Sequence, residues 1–211
     1  MNATSQMKFR DPERARALVD RLEHLMDGIG RKVNVMHVCG SHEQAMARFG
    51  LRATFPKSLN MIMGPGCPVC ITDQPEVDEA VALVMQGAVV ATYGDMLRVP
   101  GTSRSLADAQ AAGGRVEVVY SINQAVDLAR ATSDPVVFFA TGFETTAVTT
   151  ATVMLRDDLP ANFTVLSAHK FVPPAMEVVA GMKESAVEGF LAAGHAATIT
   201  GWGIFEDFVA R

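Results

Sequence analysis

Seven short apolar runs, at 33–38, 60–63, 88–92, 116–120, 136–140, 163–167 and 190–192, each stop at a polar or glycine-bearing loop. Between them lie segments with helical spacing, at about 43–50, 76–86, 104–112, 122–131, 145–156 and 173–184. Parallel strands cannot be joined by tight turns and need a crossover, usually a helix. The alternation therefore predicts an α/β fold with parallel sheets flanked by helices. Ahead of it, Asp11 is placed as an N-cap, Pro12 as the first helical residue and Glu13 as an early acid. Ala15, Leu18, Val19, Leu22, Leu25 and Met26 then recur on one side, predicting an amphipathic helix over 11–28.

The order of elements repeats weakly. The first half runs strand, CGSHE at 39–43, helix; strand, GPGCPVC at 64–70, helix; strand, YGD at 93–95. The second runs strand, TGFETT at 141–146, helix; strand, SAHKFVPP at 167–174, helix; strand, AGHAA at 193–197. Two similar lobes are expected, residues 1–115 and 116–211, the first holding the CGSH and CPVC loops and the second the GFETT loop.

A chain that is 49% hydrophobic has material for real cores, so its three cysteines are not needed as structural staples. A net charge of −5 without any Lys/Arg run offers nothing to a phosphate backbone, so nucleic acid is not an expected partner. Met1 to Arg10 are polar rather than a signal core, and no apolar stretch nears the ~20 residues of a membrane span. The expected location is the cytoplasm, away from membranes.

The residues with chemistry cluster just after predicted strands, where ligands sit in open α/β sheets. Cys67 and Cys70 form a CxxC behind Gly64 and Gly66. Such a pair can cycle between dithiol and disulfide, helped by a following helix N-terminus that lowers the thiolate pKa, or can supply half of a zinc site. Cys39 with His42 would complete that site as three sulfurs and one nitrogen. Taken singly, Cys39 is either a small buried residue or a ligand for a soft metal, with His42 as proton partner. Glu144, Thr145 and Thr146 stand at a predicted helix start, where they could cap it or hold an anion or proton. Asp95 and His169 occupy similar turns. The loops bearing Cys39, Cys67–Cys70 and 142–146 are expected to converge in one cleft.

CGSH, GPGCPVC, GDMLRVPG and GFETT, in this order and spacing, resemble the HypD family of hydrogenase maturation factors. The resemblance runs from FRDP at 9–12 to His169 and His195. It implies a scaffold on which the Fe(CN)2CO group of nickel–iron hydrogenases is assembled. The iron would be held transiently by Cys39 together with a cysteine of a HypC-type chaperone, with cyanide from a HypE-type donor. It also implies thiol–disulfide redox work for Cys67 and Cys70, with His42 and Glu144 as reactive neighbours and Gly64, Gly66, Asp95, Thr145 and Thr146 lining the cargo. Family members usually continue into a region whose cysteines bind a [4Fe–4S] cluster, which three cysteines cannot build here. Asp73 replaces a proline common after CPVC, and Ala193 one before the Gly194–His195 pair. An assembly scaffold need not be an enzyme, and no enzyme class is assigned. The competing expectations are a zinc-stabilised binding protein and a thiol–disulfide oxidoreductase.

Overall fold

The computed structural model describes residues 11–210. The readings placed on Met1 to Arg10, including the start of FRDP, lie outside them. The first helix, α1 (Pro12–Ile29), begins as its sequence dictates: the Asp11 carboxylate accepts the amides of Glu13 and Arg14, each at 3.1 Å. It ends where Gly30 turns left-handed at φ 69°. The remaining strands are β1 (Val33–His37), β2 (Leu59–Met63), β3 (Val89–Thr92), β4 (Arg115–Val118), β5 (Val136–Gly142), β6 (Phe163–His169) and β7 (Gly189–Leu191). The helices between and after them are α2 (Gly40–Phe49), α3 (Gln74–Met85), α4 (Leu106–Ala111), α5 (Ile122–Arg130), α6 (Glu144–Met154), α7 (Val172–Gly181), α8 (Gly194–Thr200) and α9 (Glu206–Val209).

All strand pairs are parallel, in two sheets ordered β2-β1-β7 and β4-β3-β5-β6. The chain divides into two compact units. One comprises residues 11–66 with Val178–Ala192, and the other Cys67–Glu177 with 193–210. A boundary near residue 115 does not describe this chain, because β3 lies hydrogen-bonded between β4 and β5. Likewise β7, expected with the second set of strands, pairs with β1 of the first: Val35 opposes Gly189 and His37 opposes Leu191. The two sets of elements have thus exchanged their third strands. Hydrophobic runs reveal that a strand exists, whereas its neighbour is chosen by long-range hydrogen bonding.

In the larger unit the two central strands of the four-stranded sheet are buried on both faces: every residue of β3 and of β5 is buried. Alternation along β5 sends Val137 and Phe139 toward Val77, Val81 and Val84 of α3 and Leu106 of α4. It sends Val136 and Phe138 toward Ile122 and Val126 of α5 and Val153 of α6. The two central strands, β3 and β5, have their next neighbours on opposite sides. Their carboxyl ends therefore flank the point at which an open α/β sheet leaves a crevice. In the smaller unit β1 is the central strand and plays the same part, with Cys39 two residues past its end. Among the described residues no helix is long and apolar enough to cross a membrane.

Candidate functional site

Cys39 is the N-cap of α2, extended at φ −151° and buried. Its carbonyl accepts the amides of His42 and Glu43, which starts the helix, while its sulfur makes no capping bond to the backbone. The Cys39 Sγ instead lies 2.9 Å from the Ser41 hydroxyl. Two glycines after β2 let the neighbouring loop close on this one. A β-carbon on Gly64 would fall 2.5 Å from Met36 Sδ, and one on Gly66 would fall 2.9 Å from three backbone atoms of Cys39. Gly64 also donates its amide to the His37 carbonyl at 2.9 Å. Both glycines serve the close packing of the Cys39 loop.

Behind Cys39 is a polar relay that motif reading did not single out. His37 is fully buried and its Nε2 is 3.0 Å from Glu43 Oε2, an N–H donating to a carboxylate, while Arg52 donates to that same oxygen. Arg52 also donates to the Met61 carbonyl at 3.1 Å, tying the short 3-10 turn Leu51–Ala53 to β2. The His37 ring meets that of His42 edge to face at 5.9 Å. The signal was a histidine placed two positions before Cys39, hence on the same side of an extended chain, and a glutamate one helical turn away.

In the larger unit Cys67 is half-buried and Cys70 exposed, and they are not joined in a disulfide. They close a turn in which the Cys70 amide donates to the Cys67 carbonyl at 3.1 Å and to the Cys67 sulfur at 3.3 Å. The expected help from a helix N-terminus is not there: α3 begins only at Gln74, capped by Asp73 with Glu76 accepting the Asp73 amide. A hydrogen bond with Cys67, then burial and the charge of Cys67, instead raise the Cys70 thiol above its ordinary value. Lys170 donates to both Asp73 and Glu76, at 3.1 and 2.8 Å, and so holds the start of α3. Asp73 thus has a structural role of its own.

Cys70 opens onto a cleft of about 460 Å³. Val69, Val99 and Pro100 form its apolar wall, and Asp95 and Arg98 its charges. The GDMLRVPG motif builds that wall: Gly94–Arg98 is a 3-10 turn, and Gly101 leaves room for Asp78, whose carboxylate accepts the amide and hydroxyl of Thr102. Asp95 was read from the sequence; Arg98, in the same motif, was not.

Glu144 is the first residue of α6 and is buried. Its Oε1 accepts the amide of Val172, the first residue of α7, at 2.7 Å, and its Oε2 meets no hydrogen-bonding group among the described residues. Neither Thr145 nor Thr146 caps α6, because the cap position is taken by Phe143. Thr146 packs over Gly142, whose φ of 146° and missing β-carbon allow the approach. His169, at the end of β6, accepts or donates at Ser167 (2.9 Å) and Thr150 (3.4 Å), and burial pushes its imidazole below the ordinary value. His195 is exposed in α8.

Each loop singled out in the sequence follows a parallel strand. Cys39, His42, Gly64 and Gly66 share one unit; Cys67, Cys70, Asp95 and Glu144 to Thr146 belong to the other. Among the described residues no three His, Cys, Asp or Glu side chains are grouped to hold a metal.

The family model described as "HypD: Hydrogenase formation hypA family" matches residues 13–211. The chain belongs to the HypD family. A Methanocaldococcus jannaschii protein named for hydrogenase expression and formation is 41% identical over 200 residues, 91% of this chain and 55% of its own length. Hydrogenase maturation factor HypD of Rhodobacter capsulatus is 37% identical over 213 residues, 97% of this chain and 56% of its own. That of Azotobacter vinelandii is 37% identical over 211 residues, 95% and 55%. The chain thus spans about half the length of the curated HypD relatives it matches.

Proposed function

We propose that this chain serves hydrogenase maturation as a scaffold for the Fe(CN)2CO group of nickel–iron hydrogenases, with Cys39 as its ligand to the iron. The cargo is shared with a cysteine of a HypC-type chaperone, and cyanide comes from a HypE-type donor. The observation that carries this reading is the placement of Cys39. It is a single thiol, outside any disulfide, at the end of a central parallel strand and at the N-terminus of a ten-residue helix. Low-spin iron is a soft acceptor that suits thiolate, and one protein sulfur leaves positions for diatomic ligands and a partner. Cyanide is anionic, and the positive end of α2 faces such a group favourably. The relay from Arg52 through Glu43 to His37 holds the loop that presents the sulfur. Cys67 and Cys70 supply or accept electrons by thiol–disulfide exchange, supported by their shared turn and the exposure of Cys70.

Anaerobic co-purification with a HypC-type partner, beside a full-length relative, tests this. The wild-type complex should contain iron and show infrared bands of bound cyanide and carbon monoxide. Cys39→Ala should lose both while keeping its circular dichroism, and Cys67→Ala should still dock the partner. Unchanged bands in Cys39→Ala would remove Cys39 from the role.

A further inference from the structure

The cleft beside Cys70 combines three features that catalytic exchange with an arbitrary thiol would not require. The exposed sulfur is at one side. On the 3-10 turn opposite, Asp95 and Arg98 stand three positions apart and exposed, and neither has a hydrogen-bonded or ion-paired partner among the described residues. Val69, Val99 and Pro100 give the space between an apolar lining. About 460 Å³ is room for a ligand of tripeptide size. Opposite charges that leave each other unpaired are available to a ligand that carries both signs.

From this we infer that the cleft binds a low-molecular-weight thiol of amino-acid type, its carboxylate on Arg98, its ammonium on Asp95 and its sulfur at Cys70. The inference rests on the redox reading of Cys67 and Cys70 and adds the class of co-reactant. The chemistry balances with two thiols. The first thiolate attacks Cys70 Sγ of the Cys67–Cys70 disulfide, the sulfur–sulfur bond breaks, and Cys67 leaves as thiolate toward the Cys70 amide, which already donates to it at 3.3 Å. A second thiol attacks the mixed disulfide at its small-molecule sulfur. The small disulfide departs, two electrons having passed to the protein, and Cys70 takes up a proton.

The chain carries a net charge of −5, so an anionic thiol is repelled by the whole and attracted only locally. That makes charge a clean probe. The oxidised chain is reduced with glutathione or with neutral 2-mercaptoethanol at equal thiolate concentration, and the mixed disulfide is trapped by acid and mapped by mass spectrometry. Wild type should react roughly fivefold faster with glutathione, the advantage shrinking as salt is raised, and the adduct should sit on Cys70. Arg98→Ala should bring the ratio of the two rates to about one and Arg98→Glu below one. A ratio unaltered by both substitutions, an adduct on Cys67, or no preference in wild type would overturn the inference and leave the redox reading standing. If neither thiol reduces the pair, the redox reading itself falls, and this inference with it.

Discussion

Gly66 lies so close to Cys39 that a β-carbon on it would stand 2.9 Å from the Cys39 N, Cα and C atoms. Backbone on both sides leaves nothing to rotate away. Gly66→Ala should therefore destabilise the chain by about 2 kcal/mol and displace the Cys39 loop. At Gly64 the obstacle is chiefly the Met36 side chain, which is unbranched and able to repack, so Gly64→Ala should cost about 1 kcal/mol or less. Urea denaturation of the two variants gives the order, and a reversed order would show that the Cys39 loop yields more readily than Met36.

Glu144 ties the start of α7 to the start of α6 through the Val172 amide. Glu144→Ala would leave that buried amide unpaired, at a cost of about 2 kcal/mol. Glu144→Gln keeps an acceptor oxygen and should lose less than half as much. Amide exchange at Val172 should speed up in the Ala variant and stay slow in the Gln variant. Equal exchange in both would mean that charge, rather than the acceptor, matters there.

His169 has its pKa lowered by burial, so between the folded value and the unfolded value of ~6.5 the unfolded chain holds more protons than the folded one. Its contribution is complete above pH ~6.5 and is lost as pH falls through that window toward the folded value. Stability should therefore fall on mild acidification, and His169→Gln should remove that part of the slope. Denaturation midpoints taken from pH 7.5 downward measure it, an unaltered slope in the variant counting against the assignment.

The Cys70 thiol is raised chiefly by its hydrogen bond with Cys67. Alkylation of Cys70 should therefore need a higher pH than an ordinary thiol does, and Cys67→Ala should move its midpoint down. An upward movement in that variant would show that Cys67 helps rather than hinders ionisation.

Most of the fold was legible because both periodicities are strong. The predicted runs at 33–38 and 136–140 became β1 and β5 with ends displaced by a residue or two, and 11–28 became α1. What escaped was pairing: nothing local in the stretch 189–191 indicates that it joins β1 rather than β6. The site was legible to the extent that its chemistry was local. Cys39, Cys67, Cys70 and Asp95 announce themselves by type and spacing. The hydrogen bond of Glu144 to Val172, 28 positions on, does not. Nor does the relay through Arg52, which depends on an unforeseen 3-10 turn at Leu51–Ala53.

The exchange of strands also dictates an order of events during synthesis. Asn34 beside β7 accepts the amide of Glu188, 154 positions later, so one edge of β1 has no neighbour until nearly the whole of this sequence has been made. At ribosomal speeds that is a wait of roughly 8 to 30 s. An apolar strand with an open edge invites pairing with other chains. Meanwhile the four strands and flanking helices of the intervening segment, Cys67–Glu177, emerge in one piece. The sheet that begins first is thus closed last, and nascent Cys39 stays beside an incomplete sheet until β7 arrives.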